Sequence, residues 1–169
     1  MVWFKNLLNK QYYLKSSIND DDIVAMCDGN IVDIHEVADP IFAQEKLGKS
    51  LAFQYTKDVI TLCAPANGIL KVLFPTGHAY GIQTKEGIEI LVHCGINTVE
   101  ANGIGFRILN KKQGDNVNAG DPIVEVDLKK LSQKYDMSTM LIITRENGKN
   151  FEFIEPQSVL RGQSVLKRL

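Results

Sequence analysis

From Ile23 to Ile154 short apolar runs alternate with Gly, Asn, Asp and Pro at intervals of about ten residues, the spacing of strands and turns rather than of helices. The runs that read as strands are Ile23–Met26, Ile31–His35, Ser50–Tyr55, Val59–Cys63, Gly68–Leu73, Ala79–Thr84, Ile88–Cys94, Ile104–Ile108, Ile123–Val126, Met140–Thr144, Phe151–Ile154 and Val165–Leu169. Many short strands with regular turn signals predict an all-β sandwich or barrel. Helix is expected only as one turn or loop in Pro40–Gly48 and as a short segment over Leu128–Lys134 capped by Asp127. A weak internal echo superposes Asp28–Ile34 on Asn67–Leu73, each placing a Gly ahead of an apolar strand. Shared turn chemistry is enough to produce it.

The most informative stretch is 77–95, with two of the three histidines. Residues 78–84 and 88–94 read as two strands joined through Lys85-Glu86-Gly87. A two-residue loop would set His78 directly opposite His93, with Cβ atoms roughly 4.5–5.5 Å apart. A three-residue loop with Gly87 in the left-handed position would shift the register by one and remove that pairing. Alternation places Ile88, Ile90, Val92 and Cys94 on one face of the second strand and Glu89, Leu91 and His93 on the other. His93 therefore leaves the most apolar face. His35 has no partner around it in sequence and reads as a core histidine with a satisfied hydrogen bond.

Residues 1–21 differ from the rest and are expected to be an N-terminal tail and linker ahead of a domain spanning 22–169. Trp3, Phe4, Leu7 and Leu8 recur at helical spacing beside Lys5, Lys10 and Lys15. That pattern fits an amphipathic segment touching an anionic membrane, and equally a frayed tail, because so short a helix is marginal in water. Elsewhere composition is that of an ordinary globular protein, with 44% hydrophobic and 23% charged residues. A net charge of −1 gives no electrostatic case for nucleic acid. No apolar run approaches the roughly 18 residues of a spanning helix, and no secretory signal is visible. Cys27, Cys63 and Cys94 lack metal-type spacing and read as idle thiols in a reducing compartment. The expected location is the cytoplasm.

Two adjacent histidines are compatible with metal binding, with acid–base catalysis or with covalent carriage of a group on one ring. No Cys or acidic residue is arranged to complete a zinc set, and no phosphate-cradling glycine loop is present, so phosphate would come from a protein rather than from ATP. Thr76, next to His78, supplies a hydroxyl that would hold one ring.

At this point the residues carry a resemblance. Ala64-Pro65-Ala66-Asn67-Gly68, Pro75-Thr76-Gly77-His78-Ala79-Tyr80, the block Gly87–Val99 and Gly103-Ile104-Gly105-Phe106 resemble the glucose-type IIA component of the bacterial phosphoenolpyruvate-dependent sugar phosphotransferase system. Asp39-Pro40-Ile41-Phe42-Ala43 and Gly114–Val126 match as well, so the resemblance spans about residues 22–169. It implies an antiparallel β-sandwich with Greek-key and jelly-roll elements, a duplicated hybrid motif with very little helix. It implies a phosphotransferase component without cofactor or metal, with His93 as phosphoryl acceptor on Nε2, His78 as its stabilising neighbour and Thr76 orienting His78. The implied donor is the histidine-containing phosphocarrier protein, and the implied acceptor a cysteine on the IIB domain of a sugar permease. Partner contact would fall on Asp39, Ile41, Leu47, Phe74, Leu91, Asn97, Val99 and Glu100. In the family's enteric members the amphipathic N-terminus contacts membrane lipid, which strengthens the membrane reading of residues 1–15. Asn97 departs from the family's usual Asp and removes one charge from the rim. Cys94 stands where a bulkier apolar residue is usual and is expected only to pack. Two rivals are weaker. A lysostaphin-like zinc peptidase needs a His-x-His pair, and a lipoyl or biotinyl carrier needs a Met-Lys-Met-type hairpin; neither occurs.

Overall fold

The computed structural model describes residues 18–167. The expectations for residues 1–17 and for the last two residues lie outside the described residues. Eleven strands are named in chain order: β1 (Gly29–Val32), β2 (Lys49–Gln54), β3 (Val59–Cys63), β4 (Gly68–Leu73), β5 (Ala79–Gln83), β6 (Glu89–Cys94), β7 (Phe106–Ile108), β8 (Asn116–Val117), β9 (Pro122–Asp127), β10 (Thr139–Arg145) and β11 (Ser158–Val159). Two short helices, α1 (Pro40–Ala43) and α2 (Leu128–Leu131), and two 3-10 turns, Ile34–Glu36 and Thr98–Ala101, complete the described elements. The strands form an eight-stranded sheet, β11-β1-β2-β10-β6-β5-β4-β8, and a three-stranded sheet, β3-β9-β7. All pairings are antiparallel. This is the expected all-β sandwich with very little helix.

The period of two decides where the core lies. Across the large sheet, Leu70, Ile82, Ile90, Val92, Cys94, Leu141 and Phe53 are buried toward Ile60, Leu62, Val124 and Val126 of the small sheet. Tyr80 is buried there too, and its hydroxyl donates to the Cys63 carbonyl at 2.7 Å, which answers the cost of burying it. All three cysteines are buried free thiols, as expected. Burial pushes the Cys94 thiol up to about 12, so it stays protonated and packs with the core, accepting from Thr139 Oγ1.

The large sheet is internally duplicated. Its order is symmetric about the β10–β6 seam. Gly29 pairs Val159 at the outer edge of β1, and Gly68 pairs Val117 at the outer edge of β4. Added Cβ atoms would meet Tyr55 Cδ1 at 2.5 Å and the Gln83 carbonyl oxygen at 2.2 Å respectively, so close backbone or ring approach requires glycine at both. The sequence echo between these segments is therefore structural. The outward face of this sheet carries lateral rows. Val32, Ala52, Met140, His93 and Ala79 form one row; Ser50, Ile142, Leu91, Gly81 and Val72 form the next. On the β1–β2 half, a satellite cluster of Ile34, Val37, Phe42, Ile96 and neighbours covers the rows.

Several sequence expectations need correction. Ile23–Met26 and Phe151–Ile154 are not strands; they make single bridges, Val24 to Ser164 and Phe153 to Leu166, and Val165 onward contributes no strand among the described residues. The run Ile31–His35 ends as a strand at Val32, because Asp33 caps a 3-10 turn by accepting from the His35 amide. His35 is exposed and not a core residue, although its hydrogen bond exists, Nδ1 donating to the Ala43 carbonyl at 2.9 Å. The expected cap at Asp127 is present, its carboxylate accepting from the Lys130 amide.

Candidate functional site

The hairpin of β5 and β6 closes with three residues. Thr84 N–H donates to the Ile88 carbonyl, and Gly87, at φ +80, completes the turn. Of the two possible loops, the longer one forms, so His93 opposes Ala79 rather than His78. The imidazoles meet regardless. His78 lies just ahead of β5, after Gly77 at φ +74, and is not bound by the strand's alternation. Its backbone carbonyl accepts from Cys94 N–H, while its ring stands 5.2 Å from that of His93, edge to face at 80°.

Each ring is fixed from behind. His93 Nδ1 lies 2.9 Å from the Gly95 carbonyl oxygen. A carbonyl only accepts, so Nδ1 carries the proton and Nε2 keeps a lone pair. That carbonyl is aimed by the turn after β6. Gly95 stands at φ +79, where a Cβ would lie 2.4 Å from Thr98 Cγ2, and Asn97 follows at φ +58. Thr98 Oγ1 donates back to the Cys94 carbonyl at 2.5 Å and locks the turn. His78 is buried, and its Nδ1 lies 2.6 Å from Thr76 Oγ1. With the threonine hydroxyl donating, the His78 proton sits on Nε2. Two phenylalanines flank the pair: Phe42 lies 5.1 Å from His93 and Phe74 5.1 Å from His78, centroid to centroid.

Both histidines are neutral near pH 7. Burial, and then the neighbouring His78, pushes His93 down to about 4, against the opposing effects of the Gly95 carbonyl and Asp39. Burial lowers His78 as well. The site therefore offers one imidazole with a free Nε2 lone pair beside a second that can present an N–H.

The apolar residues expected for partner contact are mostly exposed. Ile41, Leu47, Phe74 and Val99 are large hydrophobics left exposed, and Leu91 is half-buried. Asp39 caps α1, accepting from the Ile41 amide at 2.8 Å, and lies close enough to His93 to affect its charge. Asn97 and Glu100 are exposed on the turn beyond β6. The structure thus brings His93, His78 and Thr76 into contact, and leaves the apolar residues expected for partner contact open to solvent. Sequence reading missed the Gly95 carbonyl, the Phe42 contact, the 3-10 turn at Thr98–Ala101 and Ile104, at 61% the most exposed large hydrophobic among the described residues. Asn97 and Asn102, both left-handed, bracket that turn and were its available signal. Among the described residues no group of three or more His, Cys, Asp or Glu converges to hold a metal ion, and no helix is long and apolar enough to cross a membrane.

Residues 21–149 match the family described as phosphoenolpyruvate-dependent sugar phosphotransferase system, EIIA 1. The glucose-specific EIIA component of Mycoplasma capricolum is 40% identical over 144 residues, covering 85% of this chain and 92% of that protein. The glucose-specific EIICBA component of Staphylococcus carnosus is 37% identical over 146 residues; the match covers 85% of this chain but only 21% of that longer protein. The solved structure of the glucose permease IIA from Mycoplasma capricolum superposes with a TM-score of 0.80 at 39% identity, covering 86% of this chain and 93% of that one.

Proposed function

This chain belongs to the EIIA 1 family of the phosphoenolpyruvate-dependent sugar phosphotransferase system and is a glucose-type IIA phosphotransferase component, and from that premise we propose that it carries a phosphoryl group on His93 Nε2. The observation that carries the proposal is the commitment of His93 Nδ1–H to the Gly95 carbonyl, which leaves Nε2 as the free nucleophile. The donor is the phosphorylated histidine-containing phosphocarrier protein. The Nε2 lone pair attacks phosphorus in line, the new N–P bond forms as the donor's P–N bond breaks, and the electron pair returns to the donor's ring. The phosphorylated ring keeps its Nδ1 proton, and the Gly95 carbonyl stabilises the positive charge that then develops on it.

His78 Nε2–H donates to a phosphoryl oxygen, and the Thr76 hydroxyl holds the tautomer that makes this possible. Onward transfer goes to a cysteine thiolate on the IIB domain of a sugar permease; the S–P bond forms as the N–P bond of His93 breaks. The glucose-specific names of the relatives make glucose the sugar proposed here. The carrier domain is residues 22–169, acting in the cytoplasm, with residues 1–15 as a contact to membrane lipid.

Docking uses Ile41, Leu47, Phe74, Leu91 and Val99 as an apolar ring, with Asp39, Asn97 and Glu100 at the rim. Apolar contact with few directional bonds suits a protein that binds two different partners and releases both. The test is incubation with labelled phosphoenolpyruvate and the two general phosphotransferase proteins. Acid-labile, base-stable label is expected on wild type and on His78→Ala but not on His93→Ala. Label on the His93 variant overturns the assignment.

A further inference from the structure

Phe42 and Ile41 are neighbours in sequence on the same short helix, yet they face opposite ways. Ile41 is 46% exposed on the docking ring. Phe42 is 7% exposed, seated among Ile34, Val37, Ala52, Ile96, Met140 and Ile142, and its ring lies 5.1 Å from the His93 ring at a tilt of 48°. A side chain this buried has almost no surface to offer a partner. It does have a surface for His93.

We propose that Phe42 is a positioning residue for the acceptor imidazole: it fixes the His93 ring and keeps water from one flank without contacting either protein partner. The proposal rests on the reading of His93 as the phosphoryl acceptor. The ring of His93 has three structural restraints. Gly95 holds Nδ1, His78 meets the ring edge to face, and Phe42 packs against it at a tilt of 48°. A hydrogen bond to one nitrogen leaves the ring free to swing about that bond. Packing by aromatic neighbours removes the swing. A fixed ring keeps the Nε2 lone pair on the line of attack, where small misplacements are expensive.

The segment that carries Phe42 is itself tied down at several points. Asp39 caps α1 at its start. His35 Nδ1–H donates to the Ala43 carbonyl at its end. Glu45, a non-glycine residue at φ +50, turns the chain back, and its carboxylate accepts from the Ser50 amide at 2.8 Å. Restraints of this number on a four-residue helix make sense if the placement of its one buried side chain matters. The titratable groups that act on His93 are His78, from the β4–β5 turn, and Asp39, from the cap of α1. Neither is altered by changing Phe42, so a shift in His93 titration on that change reports water reaching the ring.

The experiment compares Phe42→Leu, Phe42→Tyr, Ile41→Ala and His35→Ala in the full chain. His93 is titrated by imidazole NMR, and kcat and KM are measured for transfer from the phosphorylated donor protein. Phe42→Leu is expected to raise the His93 titration by about one pH unit and to lower kcat about tenfold, with KM unchanged. Phe42→Tyr, which keeps the ring, is expected to retain both. Ile41→Ala is expected to raise KM and leave the titration in place. His35→Ala is a surface change that removes no core atom; it is expected to shift the titration in the same direction by less. Wild-type titration in both Phe42→Leu and His35→Ala, or an effect of Phe42→Leu on KM alone, overturns the proposal. If wild type takes up no phosphate, the acceptor reading fails, and the titrations still decide whether Phe42 holds the ring.

Discussion

The two halves of the large sheet share a plan and differ in what lies over them. On the β1–β2 half, the connection between the paired strands runs from residue 33 to 48, and it lays Ile34, Val37 and Phe42 over Ala52, Met140 and Ile142. On the β4–β5 half, the corresponding connection is residues 74–78, too short to cover anything. The outward row there is left with Gly81, half-buried Leu91 and exposed Val72. The β10–β6 seam pairs Leu141 with Val92. One step further along each strand stand Ile142, fully buried, and His93, half-buried at the edge of the open face. The duplicated plan supplies two equivalent positions. The length of one loop decides which is core and which is accessible for chemistry. The same short loop carries Thr76 and His78, so opening the face and equipping it come from one segment.

Moving chemistry to the covered half should fail. Ile142→His buries an imidazole where apolar side chains surround it, and no partner awaits it. It is expected to lose about 3 kcal/mol of stability, measured by denaturant unfolding. In combination with His93→Ala it should also restore no phosphate uptake. Restored uptake would mean that the cover is not what separates the halves.

On the open half, His78→Ala should still accept phosphate but pass it on about a hundredfold more slowly, read by rapid-quench transfer to the IIB domain. Gly95→Ala forces a Cβ into Thr98 at a left-handed position and turns away the carbonyl that holds His93 Nδ1. About 2 kcal/mol of stability is expected to be lost, and His93 is expected to titrate lower still, because the lost carbonyl bond favoured the protonated ring. Unchanged titration would show that the ring is held by other means.

The pH dependence follows from the direction of the His93 shift. The folded state holds this group near 4, below its ordinary value of 6.5, so between those values the unfolded chain binds the extra proton. The stability contribution is full above pH 6.5 and is lost as pH falls toward 4. The loss is on the order of 2–3 kcal/mol and should vanish in His93→Ala. The sheet row containing Ile142 should show no such pH dependence. The smallest effect is expected for Asn97→Asp. Restoring a rim charge should tighten donor binding by about 0.5 kcal/mol and steepen its salt dependence. An unchanged salt dependence would remove the rim from the docking account.

Much of this was legible in the chain. The turn punctuation fixed β3 and β4 to the residue, and alternation along Ile88–Cys94 correctly turned Cys94 inward and His93 away from it. What failed was register and cover. Whether Gly87 belongs to the loop or to the strand is a matter of one residue, and the alternation did carry a signal on it: only the three-residue loop sets Tyr80 and Ile82 opposite Val92 and Ile90 on the buried face. The structure chose the longer loop and made the histidines meet through the freedom of His78 before β5. Phe42 was readable as apolar, but only tertiary packing shows that it turns inward while Ile41 and Leu47 turn out. His35 was misplaced for the same reason: a strand-like run ended in a capped 3-10 turn, and the side chain swung to solvent. Segments 23–26 and 151–154 have strand composition, yet each finds only one bridging partner.

The central claim is that the phosphoryl group resides on Nε2 of His93 while Nδ1 keeps its proton. The direct measurement is nitrogen-15 and phosphorus-31 NMR of the chain labelled at its histidines, after phosphorylation by phosphoenolpyruvate and the general phosphotransferase proteins. Phosphorus coupling to Nε2 of His93 with Nδ1–H still bonded to the Gly95 carbonyl is the predicted result. Coupling to Nδ1 of His93, or to either nitrogen of His78, would contradict it.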